Sequence, residues 1–389
     1  MHIFISTGEV SGDLQGALLI KALQRQSKIA GVELEIAALG GDRMAKAGAT
    51  LIANTTSIGS VGILESLPFV FPTWQVQRRA KQYLQENPPD ILVLIDYMGP
   101  NLALGSYAHK NLPNTKVVYY IAPQEWVFSL SHWNTKTIVE MTDKLLAIFP
   151  QEAHYYQEKG VNTIWVGHPM VERMKDAPKR ISARESLGIK SEEKIVTLLP
   201  ASRRQEIKYM LPVVCEAARQ IQDKLPEVKF LIPLSLPTYR EKIAQAINTY
   251  GLRAKIIENQ TLEAIASADL AITKSGTANL EIACLDVPQI VFYRVNLITA
   301  WIAKHIIKFQ IPFISPVNLL VMKPIVPELL QDEATAARIV EKSLTLLLDG
   351  KKRQEMQQGY EEMRHSLGEL GVCDRAAKET LALIENSTG

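Results

Sequence analysis

Cysteine is scarce: the 389 residues hold three, Cys215, Cys284 and Cys373, far apart and odd in number. That excludes a disulfide-stapled scaffold and fits a reducing compartment. No C-x-x-C, H-x-x-H or H-E-x-x-H occurs, so no structural zinc site is expected. No stretch of about 18 uninterrupted apolar residues occurs, so no membrane-spanning helix is expected. The start, Met1-His2-Ile3-Phe4-Ile5, enters a strand with no basic region ahead of an apolar one, so no secretory signal is expected. A charge excess of one sign is also missing. With 43 Lys+Arg against 41 Asp+Glu the net charge is +2, which excludes a surface built to coat nucleic acid and leaves only local basic patches open. Internal repeats and low-complexity tracts are absent. What is present is core material. At 47% hydrophobic and 22% charged, the chain is not disordered, and at ~150 residues per domain its length predicts roughly two or three domains.

The organisation is strand, turn, helix, repeated. Strands are predicted over 3–7, 35–39, 91–95, 116–121, 144–148 and 163–166, with helices such as 14–26 and 74–85 between them. The run Ile91-Leu92-Val93-Leu94-Ile95 is apolar throughout, as a strand buried on both faces of a parallel sheet must be. A polar stretch over 172–194 follows. The alternation then restarts with strands over 195–199, 229–233, 255–257, 270–273 and 289–293, and helices over 334–348, 351–366 and 374–385 close the chain. The fold class is therefore α/β, with two α/β domains predicted: 1–171 and 172–370. The last residues, 371–389, form a helix packing back on the first domain or on a partner. Parallel sheets bind ligands at the carboxyl ends of their strands, so two such domains predict a cleft between those ends.

Four turns at strand ends can carry chemistry. In Ser6-Thr7-Gly8-Glu9-Val10-Ser11-Gly12-Asp13, glycines remove Cβ bulk where a backbone approaches a ligand, and helix-start N–H groups attract an anion. The same residues also suit a tight turn capped by Ser11 or Asp13. This is neither G-x-G-x-x-G nor a P-loop. In Leu199-Pro200-Ala201-Ser202-Arg203-Arg204, Ser202 can cap and a guanidinium can fork onto phosphate oxygens, or the two arginines form a solvated pair. In Lys274-Ser275-Gly276-Thr277-Ala278-Asn279-Leu280-Glu281, Ser275, Gly276 and Thr277 can present hydroxyls and N–H groups to a diphosphate. Glu281, one turn on, can accept from two ribose hydroxyls, since an ionised carboxylate only accepts. A capping turn with an ordinary helical Glu is the alternative, but two such turns in one domain favour the phosphate reading. Asp96, after five apolar residues, stands at a strand's carboxyl end as a general base or as a turn-forming Asp before Gly99-Pro100. His168, a lone histidine, and the aromatics of Tyr119-Tyr120 and Trp126 read as structural.

Two regions suit a membrane surface. Residues 58–74 are apolar and are followed by Arg78, Arg79 and Lys81. Residues 297–309 read as an amphipathic helix with Trp301, Lys304 and Lys308, within a segment that has no acidic residue from Asp286 to Glu328. A core-facing helix with two solvated lysines is the alternative for the second.

Together the motifs resemble the lipid-A-disaccharide synthase family. The residues that carry the resemblance are Gly8-Glu9-x-Ser11-Gly12-Asp13, Gly62-Ile63-x-Glu65, Ile95-Asp96 with Asn101, and Pro123-x-x-Trp126. To these are added Gly167-His168, Leu199-Pro200-x-Ser202-Arg203, Ser275-Gly276-Thr277-Ala278-x-Leu280-Glu281, Tyr293-Arg294 and Asn318-Leu319-Leu320. They stand in the family's order over nearly the whole chain. The resemblance implies a GT-B fold, two Rossmann-like domains with an interdomain cleft. It implies an inverting glycosyltransferase acting on UDP-2,3-diacylglucosamine and 2,3-diacylglucosamine 1-phosphate. The products are UDP and the β-1,6-linked disaccharide 1-phosphate of lipid A biosynthesis. It implies Asp96 as base, Ser202, Arg203, Ser275, Gly276, Thr277, Glu281 and Asn318 on the UDP side, and Gly8, Glu9, Ser11, Gly12 and Asp13 on the acceptor side. No cofactor or metal is implied, and the absence of any D-x-D agrees with that. An anionic membrane surface and a homodimer are implied as partners, with the protein peripheral on the inner face of the cytoplasmic membrane. The sequence departs from the family pattern at Gly99, where a second Asp is usual, at Ala201 for Gly, at Ser129 for Arg, and at Val321-Met322-Lys323-Pro324. Other readings are a related enzyme such as a UDP-N-acetylglucosamine 2-epimerase and a non-catalytic lipid- or nucleotide-binding paralogue.

Overall fold

The computed structural model describes residues 1–56, 70–127, 132–200, 204–296 and 311–385. The chain divides into two compact units, one of residues 1–172 with 367–389, the other of residues 173–366.

The first unit holds strands β1 (His2–Thr7), β2 (Glu35–Gly40), β3 (Thr50–Asn54), β4 (Ile91–Ile95), β5 (Lys116–Tyr120), β6 (Lys144–Ala147) and β7 (Thr163–Trp165). They form one sheet in the order β3-β2-β1-β4-β5-β6-β7, every pair parallel. All five residues of β4 are buried, because helices cover both faces of a parallel sheet. The core joins strand residues such as Phe4, Leu92, Leu94 and Tyr119 to Leu84, Leu104 and Tyr156 on the helices. The long helix Glu9–Ala30 follows β1 and stops at Gly31, whose φ of 70° is left-handed. The helix Val372–Glu385, from the far end of the chain, packs along it. Asp374 receives Arg25 at 3.0 Å and Gln26 at 2.9 Å, and Glu379 takes the ammonium of the buried Lys144.

The second unit holds β8 (Lys194–Leu199), β9 (Val228–Pro233), β10 (Ala254–Ile257), β11 (Leu270–Lys274), β12 (Gln289–Tyr293) and β13 (Glu328–Leu330), parallel in the order β10-β9-β8-β11-β12-β13. The helix Leu211–Lys224 buries Leu211, Val214, Cys215, Ala218 and Ile221, an i, i+3, i+4, i+7 stripe, and packs on the helix Ala336–Leu348.

Two strands have no counterpart in the sequence reading. β3 is an edge strand with no residue fully buried, and β13 is an edge strand of three residues, so neither shows a long apolar run. The strand expected over 116–121 ends one residue early because Ile121 turns the chain at φ 61°. Among the described residues no helix is long and apolar enough to cross a membrane. The expected membrane segment 58–74 lies mostly, and 297–309 wholly, outside the described residues.

Candidate active site

In each unit the strand order reverses once: between β1 and β4 in the first, between β8 and β11 in the second. Right-handed crossovers then send the flanking helices to opposite faces, which opens a crevice at the carboxyl ends of those strands. The motif turns lie at these two points.

In the first unit Thr7 pairs with Ile95, and Ile95 with Tyr120, so Gly8, Asp96 and Ile121 leave the sheet side by side. Asp96 and Tyr97 both adopt left-handed backbone, at φ 48° and 52°, which costs about 1–3 kcal/mol for each non-glycine residue. Three hydrogen bonds to the Asp96 backbone hold this turn. The Asp96 N–H donates to Ile121 O at 3.0 Å, and Asp96 O accepts from Asn101 Nδ2 at 2.7 Å and Tyr119 Oη at 3.1 Å. The buried Asn101 also accepts from Ser6 Oγ at 2.7 Å, tying β1 to β4. Burial, with the Asp96 charge second, raises the Tyr119 pKa well above its usual value, so the hydroxyl remains a donor. The Asp96 side chain is exposed.

The glycines of the first motif serve close approach. A Cβ on Gly8 would meet the Tyr97 ring at 2.4 Å, and one on Gly12 would meet Thr7 Oγ1 at 1.9 Å. Ser11 is half-buried, and Glu9 is the first residue of the helix Glu9–Ala30. Among the described residues no side chain caps that helix, whose N-cap residue is Gly8, so the alternative of a cap by Ser11 or Asp13 is not what the fold uses. Asp13 instead caps the next helix, Asp42–Lys46. Its carboxylate accepts from the N–H groups of Gly41 at 2.9 Å, Met44 at 3.0 Å and Arg43 at 3.2 Å.

In the second unit Thr273 pairs with Leu199, which places the 274–277 turn beside the end of β8. Ser202 and Arg203 lie outside the described residues. Ser275 Oγ donates to Ile314 O at 2.6 Å, and the Gly276 N–H to Asn279 Oδ1 at 3.0 Å, so these two donors are committed within the protein. Asn279 Nδ2 closes the turn on Lys274 O at 2.9 Å. Thr277 precedes the helix Ala278–Cys284. On that helix Glu281 is buried and ion-paired with Arg173. Burial raises the Glu281 pKa, and the guanidinium opposes the rise. Asn318 is buried and turned inward. Nδ2 donates to Val326 O at 2.9 Å and Glu328 Oε1 at 2.7 Å, and Oδ1 accepts from the Val326 N–H at 2.9 Å. It shapes the loop that leads into β13.

Sequence reasoning missed Arg173, which no motif marks, and Lys274, which stands directly before the Ser-Gly-Thr run. Lys274 Nζ lies 3.2 Å from Glu206 Oε1. His168 is structural, as read. Nδ1 accepts from the Met170 N–H at 3.0 Å, and burial lowers its pKa to about 3, so the ring is neutral.

The family model for lipid-A-disaccharide synthetase matches residues 3–383. The chain belongs to the lipid-A-disaccharide synthetase family. A lipid-A-disaccharide synthase of Gloeothece citriformis is 57% identical over 99% of this chain and 100% of its own. The Synechocystis enzyme of that name is 55% identical over 98% and 97%, and that of Myxococcus xanthus 34% over 98% and 97%. Membership makes the chain an enzyme, a glycosyltransferase of lipid A biosynthesis, and it supports the synthase reading over the epimerase and non-catalytic ones. Among solved structures, a putative UDP-N-acetylglucosamine 2-epimerase of Listeria monocytogenes superposes with TM-score 0.65 at 15% identity, covering 99% of this chain and 97% of that one. The UDP-GlcNAc 2-epimerase of Neisseria meningitidis bound to UDP-GlcNAc gives 0.61 at 13%, covering 98% and 100%. At such identities the likeness shows a shared fold, two parallel α/β units of GT-B kind.

Proposed function

We propose that the chain transfers the 2,3-diacylglucosaminyl group of UDP-2,3-diacylglucosamine to 2,3-diacylglucosamine 1-phosphate. The observation that carries this reading is Asp96, held in a strained turn at the crevice of the first unit by Asn101, Tyr119 and Ile121. Its carboxylate takes the proton of the acceptor hydroxyl as that oxygen bonds to the anomeric carbon. The bond from that carbon to the diphosphate breaks on the opposite face, and its electron pair leaves with UDP. The α-linked donor thus becomes a β-1,6 linkage. Asp13 does not compete for the role of base, because three backbone N–H groups occupy its carboxylate. The N–H groups at the start of the helix Glu9–Ala30, which no described side chain caps, suit the acceptor's 1-phosphate.

The second unit takes the UDP sugar. Arg173 favours the ionised form of the buried Glu281, and an ionised carboxylate accepts from both ribose hydroxyls. Thr277 and Arg203 serve the diphosphate, while Ser275, Gly276 and Asn318 hold the shape of the turns around it. Both substrates carry acyl chains and lie in a bilayer, so the enzyme works on an anionic membrane surface, the inner face of the cytoplasmic membrane. The exposed Val70, Phe71 and Trp74, with Arg78 beside them, support that placement.

The test is mass spectrometry of the product made by Asp96→Asn. Positioned proton transfer is worth about 10²–10⁴ in rate, so turnover falls by that factor while UDP affinity is unchanged. Turnover near the wild-type rate removes Asp96 as the base.

A further inference from the structure

The 274–277 turn offers an incoming diphosphate fewer donors than its residues promise. The Ser275 hydroxyl is given to Ile314 O and the Gly276 N–H to Asn279 Oδ1. What the turn does hold is a cation. Lys274 is the last residue of β11, at the point where the strand order reverses, and its Nζ lies 3.4 Å from where a Cβ on Gly276 would stand. Glu206 faces it at 3.2 Å. The side chain of Glu206 is 4% exposed and that of Lys274 15%, so the lysine is the more open side of the pair. An ammonium has three N–H donors, and one carboxylate oxygen leaves capacity for a second anion.

We infer that Lys274 is a binding residue for the diphosphate of the nucleotide sugar, with Glu206 as the carboxylate that positions its ammonium. The inference rests on the assignment of the second unit to the UDP sugar. A diphosphate brings negative charge into a crevice where the neighbouring groups are largely shielded from water, and there a fixed cation counts for more than in bulk solvent. Without nucleotide, Glu206 spares the protein a nearly covered, unpaired ammonium. With nucleotide, the ammonium is shared between the carboxylate and a phosphate oxygen.

Calorimetry of the full chain with two probes, UDP and uridine, tests this. Lys274→Met lowers UDP affinity by roughly 10–100-fold, the range of one charge-assisted hydrogen bond, and leaves uridine affinity unchanged. Lys274→Arg restores part of the loss. Lys274→Met removes the cation facing the Glu206 carboxylate, so the double variant Lys274→Met with Glu206→Gln, which keeps that site neutral, gives the same loss of preference in a stable fold. A merely structural role for Lys274 would move both ligands together. A wild-type protein that prefers UDP to uridine, with variants that keep that preference, overturns the role of Lys274 alone. A wild-type protein that binds UDP no better than uridine overturns the assignment of the second unit, and Lys274 with it.

Discussion

Glu152 is a carboxyl group kept almost entirely from water, in the first turn of the helix Pro150–Gln157. Its Oε2 accepts from the N–H groups of Ile148 at 2.8 Å and Phe149 at 3.3 Å. Burial pushes its pKa up to about 8, against the pull of these hydrogen bonds. The folded protein therefore holds a proton that the unfolded chain releases above about pH 4.5. The contribution is fully present below that pH and is lost as pH rises toward 8, at up to about 1.4 kcal/mol per pH unit. Glu152→Gln, which cannot ionise, removes this dependence. In calorimetric melts the wild type loses stability relative to the variant between pH 5 and 8, and parallel curves would show that the group is ionised in the fold. Commitments of this kind are hard to read from sequence. Asp96 was legible because five apolar residues deliver it to a strand end. Ser275 and Asn318 read as ligand-facing, yet Ile314, 39 residues from Ser275, and Glu328, ten from Asn318, engage them. Arg173 and Glu281 meet only in the fold, more than a hundred residues apart.

Among the elements, the helix Val70–Glu86 departs from the usual burial of aromatics. Val70, Phe71 and Trp74 are 60%, 63% and 55% exposed, and the two rings stack at a centroid distance of 6.0 Å. Arg78 lies 5.8 Å from the Trp74 ring, while Ala80 and Leu84 face the core. The opening of the helix is thus an apolar tip with cations behind it, a pattern suited to a bilayer interface. Phe71→Glu with Trp74→Glu releases the protein from vesicles containing anionic lipid and leaves its melting curve intact, because neither side chain is in the core. Added salt weakens the wild-type interaction, since each basic residue near such a surface is worth about 1 kcal/mol and salt screens it. Co-sedimentation that ignores lipid charge, salt and both substitutions excludes this surface. Elements with this much pattern are readable in advance: β4 is an unbroken apolar run, and β12 is apolar after its first residue, Gln289, because a parallel sheet buries both faces. β3 and β13 are not readable, because an edge strand needs little apolar sequence and takes its pairing from its neighbour.

At the scale of the whole molecule, the two units differ in how the chain builds them. The first is discontinuous. Its helix Val372–Glu385 arrives from the far end and is fastened by Arg25 to Asp374, by Lys144 to Glu379, and by Arg375, whose guanidinium donates to Val166 O at 2.8 Å. Val372, Ala376, Ala377 and Leu381 are buried there, so residues 1–172 alone expose an apolar stripe. The second unit is one uninterrupted stretch with its own six-stranded sheet and its own core around Ile195, Leu231, Ile265 and Ile282. Its residue range includes Arg173, Arg203, Lys274, Thr277 and Glu281, the residues proposed above for the nucleotide. A continuous unit with a complete core folds without the rest of the chain. Residues 173–366 expressed alone should therefore melt in one cooperative step and bind UDP within about tenfold of the full chain, a difference of roughly 1.4 kcal/mol. Residues 1–172 should aggregate unless residues 367–389 are supplied with them. A 173–366 fragment that folds but does not bind UDP would move part of the nucleotide site onto the first unit.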